Sequence, residues 1–167
     1  MHQNIVLVGF MGTGKTTVGR ILAEQLGWVF TDTDAYIEEQ AGMAISRMFQ
    51  EHGEAYFRER ETESLRELLQ RQGQVVSTGG GAVLREENRR LMLENGLVVA
   101  MLAEEAVIVE RVKGDTGRPL LQGDLEERVR TLVEARRHAY DFATVQLHTD
   151  RLTPVEAARR IRELLNT

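Results

Sequence analysis

The chain has 167 residues, 42% of them hydrophobic and 28% charged, a length and balance suited to one globular domain with its own core. It contains no cysteine, which excludes disulfides, thiolate metal sites and cysteine nucleophiles. Lys and Arg total 21 against 26 Asp and Glu, a net charge of −5 that argues against nucleic acid as a partner, so positive charge for any anionic ligand must be concentrated locally.

The first predicted strand is the β-branched run NIVLV, Asn4–Val8. No basic region precedes it, the run is too short for a signal peptide, and nothing approaches the length of a membrane span. A cytoplasmic protein without membrane partner, acting as a monomer, is the expectation. A helix follows with Val18, Ile21, Leu22 and Leu26 on one face and Gly27 as its C-terminal stop. WVFT, Trp28–Thr31, reads as the second strand, with Trp28 in the core. A long helical region then runs to Gln72, punctuated by Gly42 and Gly53. Val75–Ser77, Leu97–Leu102 and Ala143–His148 read as strands three to five. Thr153-Pro154-Val155-Glu156 opens the last helix with a capping box and a proline at its first position. Short apolar strands alternating with helices predict an α/β fold, a five-stranded parallel sheet covered on both faces. Ligands of such sheets collect at the carboxyl ends of the strands. Lys113–Asp124, with three glycines and Pro119, is a candidate mobile lid loop. The four histidines lack metal-ligand spacing, and Met43, Met48, Met92 and Met101 lie on apolar faces.

GFMGTGKT fits G-x-x-x-x-G-K-[ST] between a predicted strand and a predicted helix, the context a phosphate-binding P-loop requires. Backbone N–H groups must wrap a polyphosphate, and side chains at Gly9, Gly12 or Gly14 would obstruct them. Gly12, Thr13, Gly14, Lys15, Thr16 and Thr17 are the candidate nucleotide-binding residues, with Lys15 on the transferred phosphoryl group and the Thr16 hydroxyl on Mg²⁺. The motif alone leaves open whether the phosphate passes to water, a protein switch or a small molecule.

FTDTDAY, at the end of the second strand, supplies two carboxylates. As an extended pair, Asp32 and Asp34 are expected to point to opposite sides, one toward the metal's water shell and one toward an acceptor hydroxyl. The alternative is that Asp34 caps the helix AYIEEQ and Asp32 forms the turn. Arg58, in GEAYFRERE, is either one rung of a surface ion-pair ladder with Glu54 and Glu61 or a fork held for a substrate carboxylate. STGGGAV raises a similar choice between a flexible linker and bare backbone laid against a ligand.

In order along nearly the whole chain, GFMGTGKT, DTDAYIEEQAG, ISRMFQEHGEAYFRERE, STGGGAVL, RPLL and R-x-x-x-Y at Arg136–Tyr140 resemble the shikimate kinase family. The resemblance implies a P-loop kinase fold of the nucleoside-monophosphate-kinase type, with residues 33–62 as a small helical substrate lobe and 113–124 as the lid. It implies Mg²⁺- and ATP-dependent phosphorylation of the 3-hydroxyl of shikimate, on the route to chorismate and the aromatic amino acids. Asp34, Arg58, Gly80, Gly81 and Arg136 would hold the acid, Thr16 and Asp32 would serve the metal, and Lys15 and Arg118 would act on the phosphates. Asp34 would meet the reacting hydroxyl, Arg111 would stack on adenine, and Arg151 is a weaker candidate for the ring's other side. Gly79 is expected to permit the tight turn out of the third strand, while Gly80 and Gly81 offer N–H groups to the carboxylate or let the arginines close over it. The family run Arg-x-Pro-Leu-Tyr is RRHAY here, so Arg136 and Arg137 compete for one role. A gluconate or nucleoside-monophosphate kinase is the close alternative. A non-catalytic regulator is the distant one, and no Asn-Lys pair is present to begin a guanine-reading motif.

Overall fold

The computed structural model describes residues 3–113 and 125–166. Strands β1 (Asn4–Val8), β2 (Val29–Asp32), β3 (Gln74–Ser77), β4 (Leu97–Leu102) and β5 (Val145–His148) form one parallel sheet in the order β2-β3-β1-β4-β5. Among the described residues the helices are α1 (Lys15–Leu26), α2 (Thr33–Ala41), α3 (Ile45–His52), α4 (Glu54–Leu68), α5 (Glu86–Asn95), α6 (Glu105–Lys113), α7 (Leu125–Ala135) and α8 (Pro154–Leu165). No helix among these residues is long and apolar enough to cross a membrane.

The period-two geometry of β1 divides the core. Ile5 and Leu7 face α1 and α8 and pack with Leu22, Ala158 and Ile161. Val6 and Val8 face the opposite way and pack with Leu65, Met92, Ile108 and Val129. In register, Val6 lies between Val76 of β3 and Val98 of β4, so the central strands are apolar on both faces. A third, smaller cluster of Ile37, Met48 and Phe57 joins α2, α3 and α4, giving residues 33–62 a core of their own.

The long helical region is three helices, broken where Gly42 and Gly53 adopt φ values of 65° and 85°. Strand β2 starts one residue later than predicted, because the Trp28 N–H is taken by the Ala23 carbonyl at the end of α1 (2.9 Å). Trp28 is half-buried at the margin of the α1–α8 cluster rather than inside it. Strand β5 starts at Val145, since the Ala143 N–H closes a turn onto Tyr140 (3.2 Å). At α8 the Thr153 hydroxyl accepts from the Glu156 N–H (3.2 Å) and Pro154 occupies the first turn, as the capping pattern predicts.

The chain leaves β1 toward β2 and leaves β3 toward β4, on opposite sides of the sheet. Their adjacent carboxyl ends are therefore a topological switch point, where a crevice opens. The P-loop follows β1 and the glycine triplet follows β3, so both flank that crevice.

Helix α1 approaches the sheet at Gly19, where a Cβ would lie 2.6 Å from Phe30 Cε2 and 3.3 Å from Leu7 Cδ1. Gly19→Val should lower the unfolding free energy by about 1–3 kcal/mol through overpacking, read from the urea midpoint.

Candidate active site

The P-loop is built on glycines in the left-handed region, Gly12 at φ 79° and Gly14 at φ 94°, which side chains at these positions would strain. The Thr13 hydroxyl donates to the Phe10 carbonyl (2.8 Å), and Lys15 Nζ donates to the carbonyls of Gly9 (2.7 Å) and Phe10 (3.1 Å). Thr16 and Thr17 are exposed on the first turn of α1. That turn contains no acidic residue, so the positive end of the helix is not neutralised by its own side chains.

Across the crevice, the expectation for the two aspartates fails at its premise. Residues two apart in a strand share a face, but only Asp32 is in the strand. It is also the N-cap of α2, its Oδ1 accepting from the N–H groups of Asp34 (2.9 Å) and Ala35 (3.4 Å). The cap role proposed for Asp34 therefore belongs to Asp32. Asp34 sits in the first turn of α2, and its Oδ1 is buried without a hydrogen-bond partner. Burial pushes its pKa up to about 6, helped by the nearby charges of Asp32 and Glu38 and opposed by Lys15 and Arg58.

The three glycines after β3 are each matched to a charged side chain from a different element. A Cβ on Gly79 would lie 2.8 Å from Asp34 Oδ1, one on Gly80 3.0 Å from Arg136 Nη1, and one on Gly81 2.5 Å from Arg58 Nη2. None of the three is at positive φ, so Gly79 is not needed for a left-handed turn, contrary to expectation. A Cβ at any of them would crowd the end of the facing side chain, so the bare backbone leaves the three charged groups their places. The Gly79 N–H donates to the buried Thr33 hydroxyl (3.3 Å), tying the triplet to the start of α2.

Arg58 makes both ion pairs of the suspected ladder, to Glu54 (3.5 Å) and Glu61 (2.9 Å). The ladder is not on the surface: Arg58 is 19% exposed and Glu61 only 1%. Burial raises the Glu61 pKa, and the guanidinium of Arg58 opposes that rise. Phe57 lies beneath the guanidinium, 5.2 Å from Cζ to ring centroid. Arg136 follows α7, with its Cζ 5.7 Å from the Phe10 ring, whereas Arg137 pairs with Glu134 (3.7 Å) in solvent. Of the two neighbours, only Arg136 is against the triplet. Tyr140 supports it there, its hydroxyl donating to the Gly80 carbonyl (3.1 Å).

At the crevice rim, Arg111 Nη1 donates to the Gly12 carbonyl (3.1 Å) and to the hydroxyl of Thr149 (3.3 Å). Arg151 is exposed, and Arg118 with most of the 113–124 segment lies outside the described residues. Sequence reasoning missed Thr33 and Thr149 as contributors, and it used Tyr140 only as the end of the R-x-x-x-Y motif. Thr33 and Thr149 are uncharged hydroxyl residues whose only sequence signal is their place at a strand or helix end.

The family model described as shikimate kinase matches residues 11–166. The shikimate kinase of Geobacter sulfurreducens is 49% identical over 148 residues, 88% of this chain and 82% of that protein. The shikimate kinase of Thermodesulfovibrio yellowstonii is 45% identical over 160 residues, covering 95% of this chain and 92% of the relative. In structure, the chain is similar to shikimate kinase from Acinetobacter baumannii in complex with shikimate. That match has a TM-score of 0.92 at 39% identity, covering 99% of this chain and 94% of the other. A P-loop facing a glycine triplet, with the sequence likeness running through both, means that this chain belongs to the shikimate kinase family.

Proposed function

We propose that the protein transfers the γ-phosphoryl group of ATP to the 3-hydroxyl of shikimate, giving shikimate 3-phosphate and ADP. The observation that carries this reading is the seating of Asp34, Arg136 and Arg58 over Gly79, Gly80 and Gly81, beside the P-loop. A small hydroxy acid carries one carboxylate and several hydroxyls, and this corner offers two guanidinium groups and one acid to match them. In the proposal Arg58 and Arg136 grip the carboxylate, each by charge-assisted hydrogen bonds. Asp34, ionised above about pH 6, orients the acceptor hydroxyl and takes its proton as the O–P bond forms and the bond to the ADP leaving group breaks. Lys15 supplies positive charge to the transferred group, and the P-loop N–H groups hold the other phosphates.

No cluster of three or more His, Cys, Asp or Glu among the described residues can cage a metal. The oxygen donors Thr16 and Asp32 instead suit Mg²⁺ arriving with ATP, since that ion keeps several waters and needs only one or two protein ligands. When bound, the ion neutralises charge on the phosphates. Arg111 and Arg151 are proposed for the nucleotide base, Arg118 for the phosphates, and residues 33–62 as the acceptor lobe.

A coupled assay of ADP release offering shikimate, gluconate and AMP tests the assignment directly. Turnover with shikimate alone is expected; turnover with gluconate or AMP in its place would refute it. Arg136→Ala should raise KM for shikimate about tenfold or more, the loss of a charged hydrogen bond. Arg137→Ala should leave KM within about twofold, because its ion pair is on the surface.

The raised pKa of Asp34 has two consequences of opposite sign. Activity needs the carboxylate, so kcat/KM for the acceptor should rise with pH through about 6 and then level off. Stability runs the other way. The folded state keeps this proton up to about pH 6 whereas the unfolded chain loses it near about pH 4, so stability falls as pH rises across that interval. Asp34→Asn should therefore melt higher than wild type above pH 6, match it below about pH 4, and lose turnover by about 10²-fold or more while still binding ADP.

A further inference from the structure

Thr149, the residue after β5, is 3% exposed, and its hydroxyl is engaged on three sides. Oγ1 lies 3.3 Å from the Thr13 carbonyl oxygen and 3.2 Å from that of Leu102, and it accepts from Arg111 Nη1 at 3.3 Å. The Leu102 carbonyl already receives the Thr149 N–H at 2.8 Å, so the single hydroxyl proton is needed by Thr13. From the last turn of α6, Arg111 also donates to the Gly12 carbonyl (3.1 Å) and, through Nη2, to the Thr149 carbonyl (3.3 Å). Two successive P-loop carbonyls, those of Gly12 and Thr13, are thus held from one corner at the ends of β4 and β5.

A peptide unit is planar and trans, so its N–H points opposite to its C=O. Drawing the Gly12 and Thr13 carbonyls toward Arg111 and Thr149 turns the N–H groups of Thr13 and Gly14 to the other side of the loop. Successive N–H groups turned to one side are what a phosphate cradle requires. We propose that Thr149 and Arg111 are positioning residues that fix the peptide orientations of the P-loop for nucleotide phosphates, acting through the backbone rather than by touching the phosphate. Arg111 acts in this role through its edge, at Gly12, separately from any stacking of its face on a base. The proposal rests on the reading of the site as an ATP-dependent kinase.

Calorimetric titration of the full chain with ADP and with adenosine tests it. Thr149→Val keeps the side-chain shape and removes the hydroxyl. ADP affinity should fall about tenfold, the net value of a hydrogen bond or two, with adenosine affinity unchanged and ADP binding restored in Thr149→Ser. Wild-type ADP affinity in Thr149→Val, or equal losses for ADP and adenosine, would overturn the proposal. If Thr149→Val does not fold, Arg111→Gln, at an exposed position, carries the test with pyrophosphate, which has no base. Pyrophosphate affinity should fall about tenfold, and an unchanged value would overturn the proposal. A wild-type chain that binds neither ADP nor pyrophosphate would overturn the kinase reading as well, whereas wild-type phosphate binding that both variants leave intact overturns the positioning role alone.

Discussion

Close approach to the bare backbone after β3 is the constraint on which the site depends. Asp34 enters from α2, Arg58 from α4 and Arg136 from the end of α7, and each comes so near a glycine that a methyl group would crowd it. Replacing any of the three glycines removes space from a charged group rather than flexibility from a hinge. The parallel sheet makes the meeting possible, because it brings the end of β3 beside the P-loop that follows β1.

Crowding unlike charges into one corner has an electrostatic cost that the surroundings offset unequally. Glu61 is almost wholly buried, yet it faces the Arg58 guanidinium at 2.9 Å, so the pair holds that arginine in one place. Asp34 has no such direct partner for Oδ1, and burial lifts its pKa accordingly. A carboxyl that is expensive to ionise in the empty crevice is one that gains from a hydroxyl delivered to it. The same group is therefore a weakness for stability and, in the proposed reaction, an asset for proton transfer. In a chain with a net charge of −5, the two arginines at the triplet supply the local positive field that a carboxylate ligand needs.

The P-loop side is organised through its backbone instead. Carbonyls of the P-loop are taken by Lys15, Arg111 and the hydroxyls of Thr13 and Thr149. Occupying the carbonyls on one side of a loop leaves its N–H groups to the other side. Rigid backbone dipoles then need no reorganisation when charge arrives, which is the property that makes such loops effective.

Sequence alone determined the order of strands and helices, the P-loop and the capping of α8, and it singled out Asp34, Arg58 and Arg136 as candidates for the chemistry. These are local properties: hydrophobic period, glycine spacing and turn chemistry act over a few residues. Tertiary structure decided which neighbour each charge meets. Asp32 became the cap and Asp34 the group in the crevice because α2 starts at Thr33, two residues earlier than an extended reading allows. Arg136 rather than Arg137 lies over Gly80 because adjacent side chains leaving α7 diverge, one toward Phe10 and the other toward Glu134 and solvent. Thr33 was invisible as a contributor, Tyr140 stood only as the end of R-x-x-x-Y, and Thr149 was invisible too, since a lone hydroxyl has no pattern along the chain. Their partners, Gly79, Gly80 and Thr13, lie 46, 60 and 136 residues away and meet them only when the sheet closes around the crevice.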